Sequence, residues 1–175
     1  MLFSLHVITL ERFINNYNNP TDVSNMQLRV GDKIPSFSLK DQNDNIRTAD
    51  KFNKPLVLFF YPKDDTPGCT IEACGFRDKY DLFKILGAEV WGISNGDSKS
   101  HLEFANKNKL PYPLLCDKNN TLRRKFGVPK TLGFIEGRVT YIINSRGIII
   151  HIFEDLLNGP AHIKEAIRAL KQLQN

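Results

Sequence analysis

Residues 55–74 read PLVLFFYPKDDTPGCTIEAC, and the fold turns on how this stretch is divided. Pro55 to Tyr61 form a continuous apolar run, the pattern of a central strand buried on both faces. Thr66, Pro67 and Gly68 then specify a helix start, with Thr66 at the N-cap, Pro67 at N1 and Cys69 at N3. A buried strand that turns at once into a helix belongs to an α/β fold. Such folds place their sites just beyond the strand's C-terminal end, where Cys69 falls.

Outward from this unit the chain alternates strand and helix. PSFSLKDQNDNIRTA reads as two short strands around an Asp-Gln-Asn-Asp-Asn turn. Cys69 to Leu86 reads as one helix, with Ile71, Phe76, Tyr80, Phe83 and Ile85 among charged residues and Gly87 as its stop. AEVWGISN follows as a second buried strand and SKSHLEFANKNKL as a helix stopped by Pro111. PYPLLCD is a short strand and NNTLRRKFG a short helix. GRVTYIIN and GIIIHIF read as an antiparallel hairpin turning through Asn144-Ser145-Arg146-Gly147. PAHIKEAIRALKQLQ closes the chain as an amphipathic helix with Pro160 at its start. This order predicts a thioredoxin-like α/β sandwich: a mixed central sheet, helices on both faces, and an extra N-terminal β-hairpin.

Length and composition bound the rest. A chain of 175 residues, 41% hydrophobic and 25% charged, suits one domain with an ordinary core. The net charge is +5, but Lys and Arg are interspersed with acids, so nucleic acid is not implied. The basic triplet Arg123-Arg124-Lys125 reads as a solvated helix face. Three cysteines are not a secreted disulfide framework and fit a reducing compartment. No segment offers the ~18 continuous apolar residues of a membrane helix.

Residues 1–26 stand apart. MLFSLHVITL is apolar, but no basic residue precedes it and no small-residue cleavage site follows, so it does not read as a signal peptide. Phe3, Val7, Leu10 and Ile14 share one helical face, and an Asn-rich linker, NNYNNPTDVSN, comes next. An organelle-targeting piece, a docking helix and a dispensable extension all fit, the last best. The expected organisation is a non-core extension over 1–26 and one domain over 27–175.

In the first turn of a helix the amide hydrogens lack intrahelical partners and the macrodipole is positive, which favours a thiolate at Cys69. The bland alternative is a small buried hydrophobe, and the Thr-Pro-Gly directly ahead of Cys69 argues against it. Zinc fits poorly: no Cys or His cluster completes a set of four ligands. His101, His151 and His162 are scattered singly, as surface or satisfied core residues are. Cys74 lies five residues after Cys69. On an intact helix that step sets the Cα atoms roughly 8–9 Å apart, beyond the ~7 Å a disulfide allows. If the two pair, the first turns must unwind, and Gly68 and Gly75 make that easier. Cys116 reads as a buried free thiol.

At these residues the chain resembles the peroxiredoxins. Pro62-x-x-x-Thr66-x-x-Cys69 matches that family's active-site motif, and TPGCTIEAC is similar to the bacterioferritin-comigratory-protein/peroxiredoxin Q branch. The likeness runs from about Val30 to Leu173 through FSLKDQN, FFYPKDDTPGC, GISN, PLLCDKN, KFGVP and GRVTYIIN. It implies that Cys69 is the peroxidatic cysteine and Cys74 the resolving one. It implies that the Thr66 hydroxyl hydrogen-bonds the thiolate and the peroxide, and that Pro62 shields the pocket from water. Arg138 is implied beside the thiolate, and Glu72 in an orienting role.

The implied activity is a thiol peroxidase acting on hydrogen peroxide and organic hydroperoxides. Cys69 becomes a sulfenic acid, a Cys69–Cys74 disulfide forms within the chain, and thioredoxin or a similar dithiol reduces it. No prosthetic cofactor or metal is called for. A monomer is expected, in bacterial cytoplasm as the first choice and a plastid as the second. Two rivals stand beside this reading. A thiol-disulfide oxidoreductase shares the fold, but the C-x-x-C spacing is absent. A non-turnover peroxide sensor would consume about one equivalent of peroxide, where an enzyme consumes many.

Overall fold

The structure is a computed structural model that describes residues 27–49, 53–131 and 133–174. The expected 1–26 extension lies outside the described residues. Strand β1 (Ser38–Lys40) pairs with β2 (Ile46–Thr48) as the N-terminal hairpin. Its turn is held by Asp41, whose carboxylate accepts from the Asn43 and Asn45 amides and from Arg47. Strand β3 (Leu56–Phe60) leads into helix α1 (Pro67–Asp78) and the short α2 (Tyr80–Ile85). Then come β4 (Glu89–Ser94), α3 (Ser98–Asn108), β5 (Leu114–Cys116) and α4 (Thr121–Phe126). A two-residue pair, β6 (Lys130–Thr131) and β7 (Ile135–Glu136), precedes β8 (Val139–Ile143), β9 (Ile149–Glu154) and α5 (Gly159–Gln172).

The main sheet has five strands in the order β5-β4-β3-β8-β9. β3, β4 and β5 are parallel, and β8 and β9 add antiparallel pairs at the other side of β3. This is the expected mixed thioredoxin-like sheet. Every residue of β3 is buried, as its unbroken apolar run predicts. Val57 and Phe59 face a core closed by α1, α2, α3 and α5. Leu56, Leu58 and Phe60 face a second core. Helices cover the two faces unequally: on the second, α4 supplies Leu122 and Phe126, and the segment around Leu28, Phe37, Leu39 and Ala49 does the rest.

Two local readings change. The single helix expected from Cys69 to Leu86 is broken at Lys79, whose φ/ψ of −108°/9° is not helical. The bend brings the Phe76 and Phe83 ring centroids to 5.7 Å, where a straight helix would space the residues roughly 10 Å along its axis. The β6–β7 pair is too short to leave a periodic signal in the sequence. The stop at Gly87 holds, with φ +72°, a conformation that favours glycine.

Candidate active site

The site is assembled where β3 ends and β8 begins. β3 and β8 run antiparallel with Phe60 opposite Val139, so the turn after β3 and the residue before β8 emerge side by side. The first carries Pro62 to Thr66 and opens α1; the second carries Arg138. Cys69 sits in the first turn of α1 and is 1% exposed. Arg138, itself buried, donates from Nη2 to the Cys69 sulfur at 3.3 Å. Its Nη1 makes an ion pair with Glu72 Oε2, and its Nε donates to the Leu156 carbonyl at 3.1 Å. All three guanidinium nitrogens are therefore anchored. A Cβ at position 68 would lie 3.3 Å from Arg138 Nη2, so Gly68 leaves room for this approach.

Glu72 is completely buried. Burial pushes its carboxyl up to about 7, although Arg138 opposes the shift by favouring the anion. Its Oε1 has no hydrogen-bond partner among the described residues and lies 3.6 Å from His162 Nδ1. That contact is not an ion pair. His162 Nε2 faces the Asp155 carbonyl at 2.8 Å, which can only accept, so Nε2 carries the hydrogen. Nδ1 then accepts from the Thr140 hydroxyl, also at 2.8 Å. Burial pushes this imidazole down to about 4, keeping it neutral.

The turn ahead of Cys69 is held from below. Buried Asp64 accepts from the Tyr61 hydroxyl at 2.8 Å and from the Ser100 hydroxyl at 2.6 Å. His101 Nδ1 meets the same carboxylate at 2.7 Å, and its Nε2 faces the Leu115 carbonyl. Burial alone would push the Asp64 carboxyl up; His101, Ser100 and Tyr61 together hold it below the usual carboxylate range. A Cβ at Gly96 would sit 2.6 Å from the His101 ring, so only glycine allows this packing.

Of the residues expected at the site, Cys69, Glu72 and Arg138 are brought into one buried cluster. Thr66 is at the N-cap position, but its hydroxyl makes no capping bond and donates instead to the Lys63 carbonyl at 3.2 Å. Pro62 follows the last sheet residues and is half-buried. Cys74 lies on the intact α1, half-buried, with its sulfur 3.8 Å from Asn108 Oδ1; both cysteines are free. Gly75 has a packing role as well as a conformational one, since a Cβ there would meet Ile163 at 2.9 Å where α1 crosses α5. Cys116 is half-buried rather than buried. It lines a separate cleft of about 690 Å³, touches the Ser98 hydroxyl at 3.7 Å, and partial burial raises its thiol above the ordinary range.

Arg123 overturns the reading of the basic triplet as a solvated face: it is 3% exposed. Its Nη2 donates to the Tyr61 carbonyl at 2.8 Å and its Nη1 to the Gly137 carbonyl at 2.7 Å. Sequence reading missed it, together with Asp64 and His162, because none stands in a motif. Only the alternation of Arg123 with buried Leu122 and Phe126 on one short helix hints at its direction. Among the described residues no group of three or more His, Cys, Asp or Glu could hold a metal ion, and no helix is long and apolar enough to cross a membrane.

The class that this fold and site define is the thioredoxin-like α/β proteins with a buried cysteine at a helix start beside an arginine. Comparison with known proteins narrows it. The AhpC/TSA family pattern matches residues 30–152. A peroxiredoxin Q from Populus jackii, named chloroplastic, is 46% identical over 149 residues, 84% of this chain and 70% of that protein. Among solved structures, a Xylella fastidiosa PrxQ mutant superposes with a TM-score of 0.79 at 28% identity, covering 86% of this chain and 99% of that one. A Xanthomonas campestris bacterioferritin comigratory protein, described for its alkyl peroxide reduction activity, gives 0.71 at 28%, covering 79% and 92%. The chain belongs to the peroxiredoxins of the AhpC/TSA family, alongside peroxiredoxin Q, and is a thiol peroxidase.

Proposed function

We propose that the protein reduces hydrogen peroxide and organic hydroperoxides at Cys69, resolves the product through Cys74, and is recycled by thioredoxin or a similar dithiol. The observation that carries this reading is the guanidinium of Arg138, 3.3 Å from the Cys69 sulfur and fixed at its other nitrogens. A fixed cation there pairs with the thiolate and faces the place where charge develops as the O–O bond breaks. Cys69 sulfur attacks the terminal peroxide oxygen; the S–O bond forms, and the O–O electron pair leaves with the second oxygen. That oxygen takes a proton to become water or an alcohol, and Cys69 is left as sulfenic acid. Thr66 and Pro62 are assigned to peroxide binding and water exclusion, and Glu72 to orienting Arg138.

Cys74 then attacks the sulfenic sulfur and releases water. Both cysteines ride on one intact helix, so the start of α1 unwinds to let them meet. The external dithiol reduces the disulfide by exchange. The organic substrates rest on the activity ascribed to the Xanthomonas campestris relative. The compartment we assign is a plastid, following the chloroplastic Populus relative; bacterial cytoplasm, the first expectation, finds no support there. The domain proper is residues 27–175, and it acts as a monomer.

Turnover tests the reading. Cys69→Ser abolishes peroxide consumption, and Cys74→Ser still forms the sulfenic acid but is recycled poorly by thioredoxin. Unchanged turnover in the first variant would sink the assignment of Cys69. Full thioredoxin-supported activity in the second would remove Cys74 from the cycle. Consumption of a single equivalent by the wild-type protein would favour the sensor.

A further inference from the structure

We infer that Arg123 is a positioning residue for the peroxidase reaction: its fork clamps together the two backbone carbonyls from which the catalytic turn and Arg138 depart. The strand pairing of β3 with β8 ends at Phe60 opposite Val139. One residue past the end of β3 is Tyr61, followed at once by Pro62; two residues back from Val139 is Gly137, followed by Arg138. The β3–β8 register has no pair beyond this point, and the next residue before Val139, Arg138, turns its guanidinium to the Cys69 sulfur. Arg123 Nη2 and Nη1 reach the Tyr61 and Gly137 carbonyls at 2.8 and 2.7 Å, spanning the gap with one rigid plane. The side chain thus extends the sheet by one rung that the backbone cannot supply.

The clamp is itself clamped. The guanidinium lies over the Phe60 ring at 5.5 Å, and its Nε is 3.7 Å from Glu136 Oε2, a buried oxygen with no hydrogen-bond partner among the described residues. The Arg123 amide is fixed by the Asp117 carboxylate at 2.8 Å, which also caps the Leu122 amide. A buried arginine whose strongest bonds are two neutral carbonyls is an expensive way to hold a loop. Its position explains the expense, because those carbonyls immediately precede the two segments whose spacing sets the Arg138–Cys69 contact. Lysine cannot replace it: one ammonium keeps the charge but not the two parallel bonds.

This inference rests on the roles given to Cys69 and Arg138, so the test carries both. Arg123→Lys, Arg123→Met and Arg138→Lys are compared with wild type, and Arg123→Lys is also combined with Arg138→Lys. Single-turnover peroxide oxidation and iodoacetamide alkylation of Cys69 are measured, with near-ultraviolet circular dichroism to report folding. A displacement of Arg138 by about an ångström is expected to slow peroxide oxidation at least about tenfold in folded Arg123→Lys. Alkylation, which breaks no O–O bond, falls much less. The double variant is no slower than Arg138→Lys, because the second change acts through a contact already lost.

Wild-type peroxide rates in Arg123→Lys, with Arg138→Lys slow, would overturn the inference and leave the site reading intact. Equal losses in both reactions that follow the folded fraction would make Arg123 structural only. Multiplicative losses in the double variant would separate it from Arg138. Wild-type rates in Arg138→Lys would overturn the site reading and this inference together. Should Arg123→Met fail to fold, Arg123→Lys decides the matter.

Discussion

At Glu72 a buried carboxyl group meets a cation through one oxygen and, among the described residues, no donor through the other. Its folded value, about 7, lies above the ordinary 4.5 of the unfolded chain. The folded state therefore holds this proton more tightly, and the stability it contributes is complete below about 4.5 and lost as pH rises through 7. His162 works in the opposite direction. Its folded value, about 4, lies below 6.5, so its contribution is present above 6.5 and lost as pH falls towards 4. The two windows overlap and partly cancel in the wild-type protein. Glu72→Gln removes one of them. The stability difference between wild type and Glu72→Gln should fall by on the order of 3 kcal/mol between pH 4.5 and 7, read from urea midpoints. A difference that does not change with pH would show that Glu72 is ionised in both states.

At the scale of elements, the proposed cycle asks the helix start that holds Cys69 both to position the sulfur and to let go of it. α1 is tied along the Cys74 side: the Tyr112 hydroxyl donates to the Ala73 carbonyl at 2.6 Å, and Arg77 donates to the Asn108 carbonyl at 2.7 Å. These bonds oppose the unwinding that a Cys69–Cys74 bridge requires. Tyr112→Phe deletes the first while keeping the ring that packs on Phe59 and Tyr80. It should lower stability by about 1 kcal/mol and speed disulfide closure several-fold, measured by stopped-flow after a peroxide pulse. Slower or unchanged closure would mean that the segment released lies N-terminal to Ala73 alone. The helix start was legible because Thr66-Pro67-Gly68 is local chemistry. The break at Lys79 was not, because it answers to Phe76 and Phe83 meeting in three dimensions, and the apolar spacing on either side of it remains helical.

For the whole molecule, the sheet and the order of helices follow from alternation of apolar runs and amphipathic stretches, and both were readable along the chain. The pairing of Cys69, Glu72 and Arg138 came from motif resemblance, and the two buried networks behind them did not come at all. Asp64 with His101, and Glu72 with His162, join residues 37 and 90 positions apart, and no local spacing marks such partners. Arg123 looked like part of a charged face because its neighbours Arg124 and Lys125 are exposed. The direction of one side chain on a two-turn helix is decided by Tyr61 and Gly137, far away in sequence. At the same scale, the monomer assignment predicts a solution mass near 20.0 kDa in both redox states, measured by light scattering. A mass of twice that value on oxidation would point to resolution between chains.

The central claim is that one peroxide molecule drives Cys69 and Cys74 into a bond that the resting helix forbids. The direct measurement is intact mass and peptide mapping of the reduced protein after one equivalent of hydrogen peroxide. Loss of two hydrogens, with a peptide cross-linked through Cys69 and Cys74, is the predicted result. Gain of one oxygen on Cys69 with Cys74 still a free thiol would contradict it and place the resolving thiol on another molecule.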